Sequence, residues 1–163
     1  MRRHSATVLV CALGLAALGL TGSGSSALLQ SGHSGDGRGA VVLVSGRDDH
    51  GLVTDPQVVL LGAPDGGKPA GRIPDGHFAR VIEVRGTWLH VKSLDGPTVD
   101  GWLDDFFLRD RAVLDEKEQV RLLDARSVGG TLQIYVRSVT DPSAPPIWAD
   151  ADRLAEVLAP PSD

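Results

Sequence analysis

Trp102-Leu103-Asp104-Asp105-Phe106-Phe107-Leu108 and Trp148-Ala149-Asp150-Ala151-Asp152-Arg153-Leu154 share the frame Trp-x-Asp-x-x-x-Leu. Upstream, Val91-Lys92-Ser93-Leu94 matches Val136-Arg137-Ser138-Val139, eleven and twelve residues before the respective tryptophans. Further up, Gln57-Val58-Val59-Leu60-Leu61-Gly62-Ala63 echoes Gln119-Val120-Arg121-Leu122-Leu123-Asp124-Ala125. Three matches in one order, with the same content of strands followed by a corner, indicate two related small β units. A repeat of this kind suits a scaffold or binding module better than a catalytic pocket.

Period-two alternation and turn chemistry place the strands. Ala40-Val41-Val42-Leu43-Val44 is a β-branched run bounded by Gly39 and Gly46, and Val58 to Leu61 is a second apolar run. The latter ends in Gly62-Ala63-Pro64-Asp65-Gly66-Gly67, a strong loop signal. Ile73-Pro74-Asp75-Gly76 is a turn before a strand from Phe78 to Val84. After Arg85-Gly86, the run Thr87 to Lys92 puts Leu89 and Val91 on one face and Trp88, His90 and Lys92 on the other. Gly101-Trp102-Leu103 is a short strand, and Asp104 to Leu108 a single helical turn.

This order resembles that of bacterial Src-homology-3-like domains, on the strength of Gly71-Arg72-Ile73-Pro74-Asp75-Gly76, Trp88-Leu89-His90-Val91, Gly101-Trp102-Leu103 and Leu108. The likeness covers about a third of the chain, roughly from Pro56 to Asp110. Where that family carries an Asn-Val-Arg-type segment, this chain has Val59-Leu60-Leu61. Many members bind cell-wall peptide bridges through aromatic-lined grooves, so the resemblance implies a binding role at the cell envelope.

The second copy is shorter, and the piece it lacks matches the loop and hairpin around Lys68 to Val84. Leu132, Ile134 and Val136 alternate with Gln133, Tyr135 and Arg137, one apolar and one polar face. After Trp148, the residues Leu154, Val157 and Leu158 lie at helical spacing before Pro160-Pro161. A unit this small is not stable alone, so it is expected to pack on the first. The expected fold is mostly β: a small Src-homology-3-like β-barrel over residues 40–110, with an extra N-terminal strand, then a second, shorter β unit with a short C-terminal helix over 111–163.

Met1-Arg2-Arg3-His4, an apolar run from Ala6 to Leu20 and small residues through Ser25-Ser26-Ala27 form the three-part pattern of an export signal. Residues 1–27 are therefore expected to be a signal peptide cleaved after Ala27, with an N-terminal membrane anchor as the alternative. Either puts the remainder outside the cytoplasmic membrane. Cys11 lies in mid-run after Val8-Leu9-Val10, which does not fit a lipoprotein. The chain has no other cysteine, so disulfides and thiolate sites are excluded from the exported part. Residues 28–39, rich in Gly and Ser, read as a flexible tether. Arg2 and Arg3 are the only charged residues before Leu28, which leaves 14 basic against 21 acidic residues, a net charge of −7. That balance argues against nucleic acid and against a membrane surface as partner, apart from the N-terminal segment.

Polar clusters offer little chemistry. Asp48-Asp49-His50 has metal-ligand types, but consecutive residues point to alternate sides and read as a solvated turn. His77 and His90 lack a nucleophile with an orienting partner. No enzyme, no metal and no cofactor are expected. Asp104 and Asp150 recur where a carboxylate caps a helical turn, and Trp102 and Trp148 recur as corner packing. Trp88, Phe106, Phe107 and Tyr135 are the candidate groove residues. The expected function is an exported, non-catalytic binding module that recognises peptidoglycan or cell-wall peptide; the alternative is a structural or regulatory accessory that binds another envelope protein.

Overall fold

The structure, a computed structural model, describes residues 37–48 and 50–157. The expected signal peptide, most of the tether, Asp49, Leu158 and the terminal prolines lie outside these residues. Twelve strands form within them: β1 (Val41–Val44), β2 (Gln57–Leu61), β3 (Pro69–Pro74), β4 (Phe78–Arg85), β5 (Trp88–Ser93), β6 (Asp100–Asp104) and β7 (Leu108–Arg109), then β8 (Arg111–Leu114), β9 (Glu118–Val128), β10 (Thr131–Ser138), β11 (Ile147–Asp150) and β12 (Leu154–Ala155). The first seven make a curled sheet in the order β3-β2-β6-β5-β4-β1-β7, and the last five a sheet in the order β11-β10-β9-β8-β12.

The chain runs the same path in both sheets. β1, β4, β5, β6 and β7 of the first correspond to β8, β9, β10, β11 and β12 of the second, with a 3-10 turn before the last strand of each (Asp105–Phe107 and Ala151–Arg153). The irregularities coincide too. Val81 pairs with Val91 and Glu83 with His90, so Ile82 is bulged out. Leu122 pairs with Val136 and Asp124 with Tyr135, so Leu123 is bulged at the same place. A bulge is a local departure that sheet pairing alone does not demand, so its recurrence is strong structural support for the repeat.

Three expectations change. β1 is no appendage: it lies inside the sheet, between β4 and β7. The strand equivalent to β9 is β4, not β2, so Val81-Ile82-Glu83-Val84-Arg85 matches Leu122-Leu123-Asp124-Ala125-Arg126, and the likeness of Gln57–Ala63 to Gln119–Ala125 is not structural. What the second unit lacks is the β2–β3 hairpin, inserted between β1 and β4 in the first. The expected C-terminal helix is a 3-10 turn, after which Leu154 and Ala155 pair with Leu114 and Val113 of β8. Leu154 is buried in the second core; a helix of so few residues has too little intrinsic stability to compete with that burial.

β1 explains how the units join. Val42 and Val44 point into the first core with Val58, Leu60, Ile73, Val81 and Val91. Val41 and Leu43 point the other way, into the second core with Phe78 of β4 and with Leu122, Ile134 and Val136. All four are buried, which is why this strand reads as a continuous apolar run without alternation. Each buried side chain contributes about 1.5–3 kcal/mol. Ile134 and Val136 are thus covered by the first unit.

Polar groups close the ends of this joint. Arg80 of β4 donates to Asp124 Oδ1 at 2.9 Å and to the Ala125 carbonyl at 3.1 Å. Beyond β12, the buried Glu156 carboxylate accepts a hydrogen bond from Ser45 Oγ and ion-pairs with Arg47 Nε at 2.8 Å. Arg47 also faces Asp75 at 3.5 Å.

Candidate functional site

The outward face of each sheet carries the same arrangement. On the first sheet, His90 of β5 stacks on Trp102 of β6, with ring centroids 5.1 Å apart and 17° between planes, and the Arg85 guanidinium lies 5.0 Å from the Trp102 ring. On the second, Tyr135 of β10 stacks on Trp148 of β11 at 4.8 Å and 29°, and Arg126 lies 4.0 Å from the Trp148 ring. The two sets occupy equivalent register positions: His90 faces Trp102 as Tyr135 faces Trp148. Cross-strand aromatic pairs and cation–π contacts each add on the order of 0.5–1 kcal/mol. Trp102 is buried beneath its neighbours, while Trp148 is only partly buried.

The two recurrent aspartates differ in use. Asp104 caps its turn as expected, accepting from the Phe106 N–H at 3.1 Å and from Thr87 Oγ1 at 3.2 Å. Asp150 makes no side-chain cap; it accepts from Gln133 Nε2 at 2.9 Å, and Gln133 in turn accepts from Arg126 Nε at 3.0 Å. This chain holds Arg126 over Trp148. Next to Asp104, burial pushes the Asp105 carboxyl above its ordinary value, and the neighbouring Asp104 charge adds to it.

The four candidate groove residues are split. Trp88 sits at the start of β5 opposite Arg85 and Asp104. Phe106 is exposed and meets Phe107 edge-to-face at 5.4 Å, while Phe107 packs against the first core. Tyr135 stands on the other sheet. It alone of the four lines an open groove of about 530 Å³ on the outer face of the second unit, among Arg121, Leu123, Asp124, Arg137, Val139 and Pro142. The sequence had marked Tyr135; Arg121 and Arg137 fall within the repeat matches without a site signal, and with Pro142 they meet only through cross-strand pairing and the turn after β10.

The remaining polar candidates are occupied locally. Asp48 accepts from the backbone N–H groups of His50 and Leu52, both at 2.9 Å, as a turn-forming aspartate does. His77 Nδ1 faces Asp95 at 3.4 Å, whereas His90 is stacked on Trp102, so the two histidines serve separate contacts. Among the described residues no group of three or more His, Cys, Asp or Glu could hold a metal ion, and no helix is long and apolar enough to cross a membrane. Comparison with protein families, curated proteins and solved structures gives no match.

Proposed function

We propose that this chain is an exported, non-catalytic binding protein of the cell envelope, built from one unit that resembles a Src-homology-3-like domain and a shorter related unit after it. The observation that carries this is the groove on the second unit, where aromatic and aliphatic walls (Tyr135, Leu123, Pro142) adjoin two guanidinium groups (Arg121, Arg137) and the Asp124 carboxylate. Apolar and ionic surface side by side suits a peptide ligand, and the volume is that of a small-ligand site. A peptide-bearing component of the cell wall is the ligand class that the family resemblance adds.

The test is cosedimentation of the protein with purified cell walls at about 0.5 M salt, where exposed charges are screened over roughly 4 Å. Binding that persists there and is lost in Tyr135→Ala supports wall recognition. Absence of binding at low and high salt alike overturns it. A second reading, binding to another envelope protein, is favoured by the arrangement of arginines around the same groove.

A further inference from the structure

The register of the second sheet sets three arginines side by side. Arg111 of β8 is the cross-strand partner of Arg121 of β9, and Arg121 is the partner of Arg137 of β10. Their chain neighbours Ala112, Leu122 and Val136 are buried in the second core, so alternation turns all three guanidinium groups outward. With strands about 4.8 Å apart, the row spans roughly 10 Å. Like charges placed directly opposite destabilise a sheet. This chain has 21 acidic residues with which to relieve them. Yet among the described residues both Arg111 and Arg121 share the Asp110 carboxylate, 3.9 Å from each. The Arg137 side chain makes no ion pair or hydrogen bond among the described residues, its backbone being held in the β9–β10 ladder.

The corresponding row of the first unit shows what this face is for. By the equivalence of strands it reads Val41, Arg80 and Lys92. There, Val41 is buried against the second unit, and Arg80 bonds Asp124 and the Ala125 carbonyl across the joint. The outer face of the first unit's β1–β4 pair is thus a docking face, already filled. On the second unit the same face is open, and arginine stands where the first has valine. Asp124 also lines this groove but is engaged by Arg80 at 2.9 Å, so the outward arginines favour an anionic partner.

We infer that the outer face of the second unit docks an extended acidic segment of a partner protein, with carboxylates on alternate residues and an apolar side chain beyond them. In an extended strand, residues i and i+2 lie on one side, about 6.6 Å apart, within reach of adjacent long arginine side chains. Arginine takes a carboxylate through two parallel N–H···O bonds, which gives both strength and orientation. Past Arg137 the groove continues to Tyr135, Val139 and Pro142, which receive the apolar residue. The inference rests on the binding-protein reading and chooses its protein-partner form.

The experiment is calorimetric titration of the full exported chain with the blocked peptide acetyl-Asp-Ala-Asp-Ala-Leu-amide, with its Asn-for-Asp analogue, and with inorganic polyphosphate. Wall cosedimentation runs in parallel. The acidic peptide is expected to bind, more weakly as salt rises, and the Asn analogue at least about tenfold less well. Arg121→Gln and Arg137→Gln, both exposed enough to leave folding intact, are expected to weaken binding by a similar factor, while Lys92→Gln on the first unit leaves it unchanged. Equal binding of the two peptides, or no effect of Arg137→Gln, overturns the inference. Tighter binding of polyphosphate through the same arginines overturns the peptide class. Wall binding that ignores both arginines, with no peptide binding, sinks this inference alone; failure of every arm sinks the binding-protein reading as well.

Discussion

Phe78 belongs to the first sheet by its backbone and to the second core by its side chain. Replacing it with alanine therefore asks whether the two units unfold as one. The ring is 1% exposed, among Leu43, Leu122, Ile134 and Val136. Removal of a buried phenylalanine costs about 3–5 kcal/mol, from lost transfer energy and from the cavity left behind. At a urea slope of about 2 kcal/mol per molar, the midpoint should fall by roughly 2 M. The assay follows unfolding by far-ultraviolet circular dichroism and by selectively excited tryptophan fluorescence in a Trp148→Phe background, where tryptophan emission comes only from Trp88 and Trp102 of the first sheet. One cooperative unit requires both signals to shift together and to coincide. If the first-sheet fluorescence keeps its midpoint while the dichroism loses amplitude early, the units are independent and the shared-core argument is wrong.

Asp104→Ala should cost about 0.5–2 kcal/mol, the loss of a capping carboxylate, whereas Asp150→Ala should act instead by freeing Gln133 and Arg126, visible as altered Trp148 fluorescence. Because burial raises the Asp105 pKa, the folded state holds that proton more tightly than the unfolded chain and is penalised when the group ionises. Asp105→Asn should then stabilise at neutral pH, with the gain vanishing below the ordinary value of 3.8 in denaturation series across pH. Asp115 carries the opposite sign: its hydrogen bond from Arg153 lowers the pKa, so its contribution is present at neutral pH and lost as pH falls through the folded value, and Asp115→Asn should flatten that acid limb. Gly101→Ala should cost about 1–3 kcal/mol in thermal unfolding, since its Cβ would sit 2.7 Å from Leu60 Cβ and 2.9 Å from the Leu61 carbonyl oxygen. The equivalent residue in the second unit is Ile147, half-exposed because no β2 lies beside β11.

Many of the strands were legible in the sequence, though not β3, β8 or β12. Alternation at Leu89, Val91, Ile134 and Val136, glycine at the turns, and the repeated Trp-x-Asp corner depend on neighbours a few residues away, and such signals survive in one dimension. So did the dependence of the short unit on the longer one, since an apolar face with too few strands must find cover. What the sequence could not show was which strands are partners. Gln57–Ala63 resembles Gln119–Ala125 residue by residue, yet the bulges at Ile82 and Leu123 and the order of the sheets make β4 the true counterpart of β9. β1 looked like an addition because its two buried faces are set by two cores that come together only in the folded chain. The arginine row was hidden for the same reason. Arg111, Arg121 and Arg137 lie ten and sixteen residues apart in an acidic chain, and only cross-strand register, a long-range property of pairing, sets them opposite one another on strands about 5 Å apart.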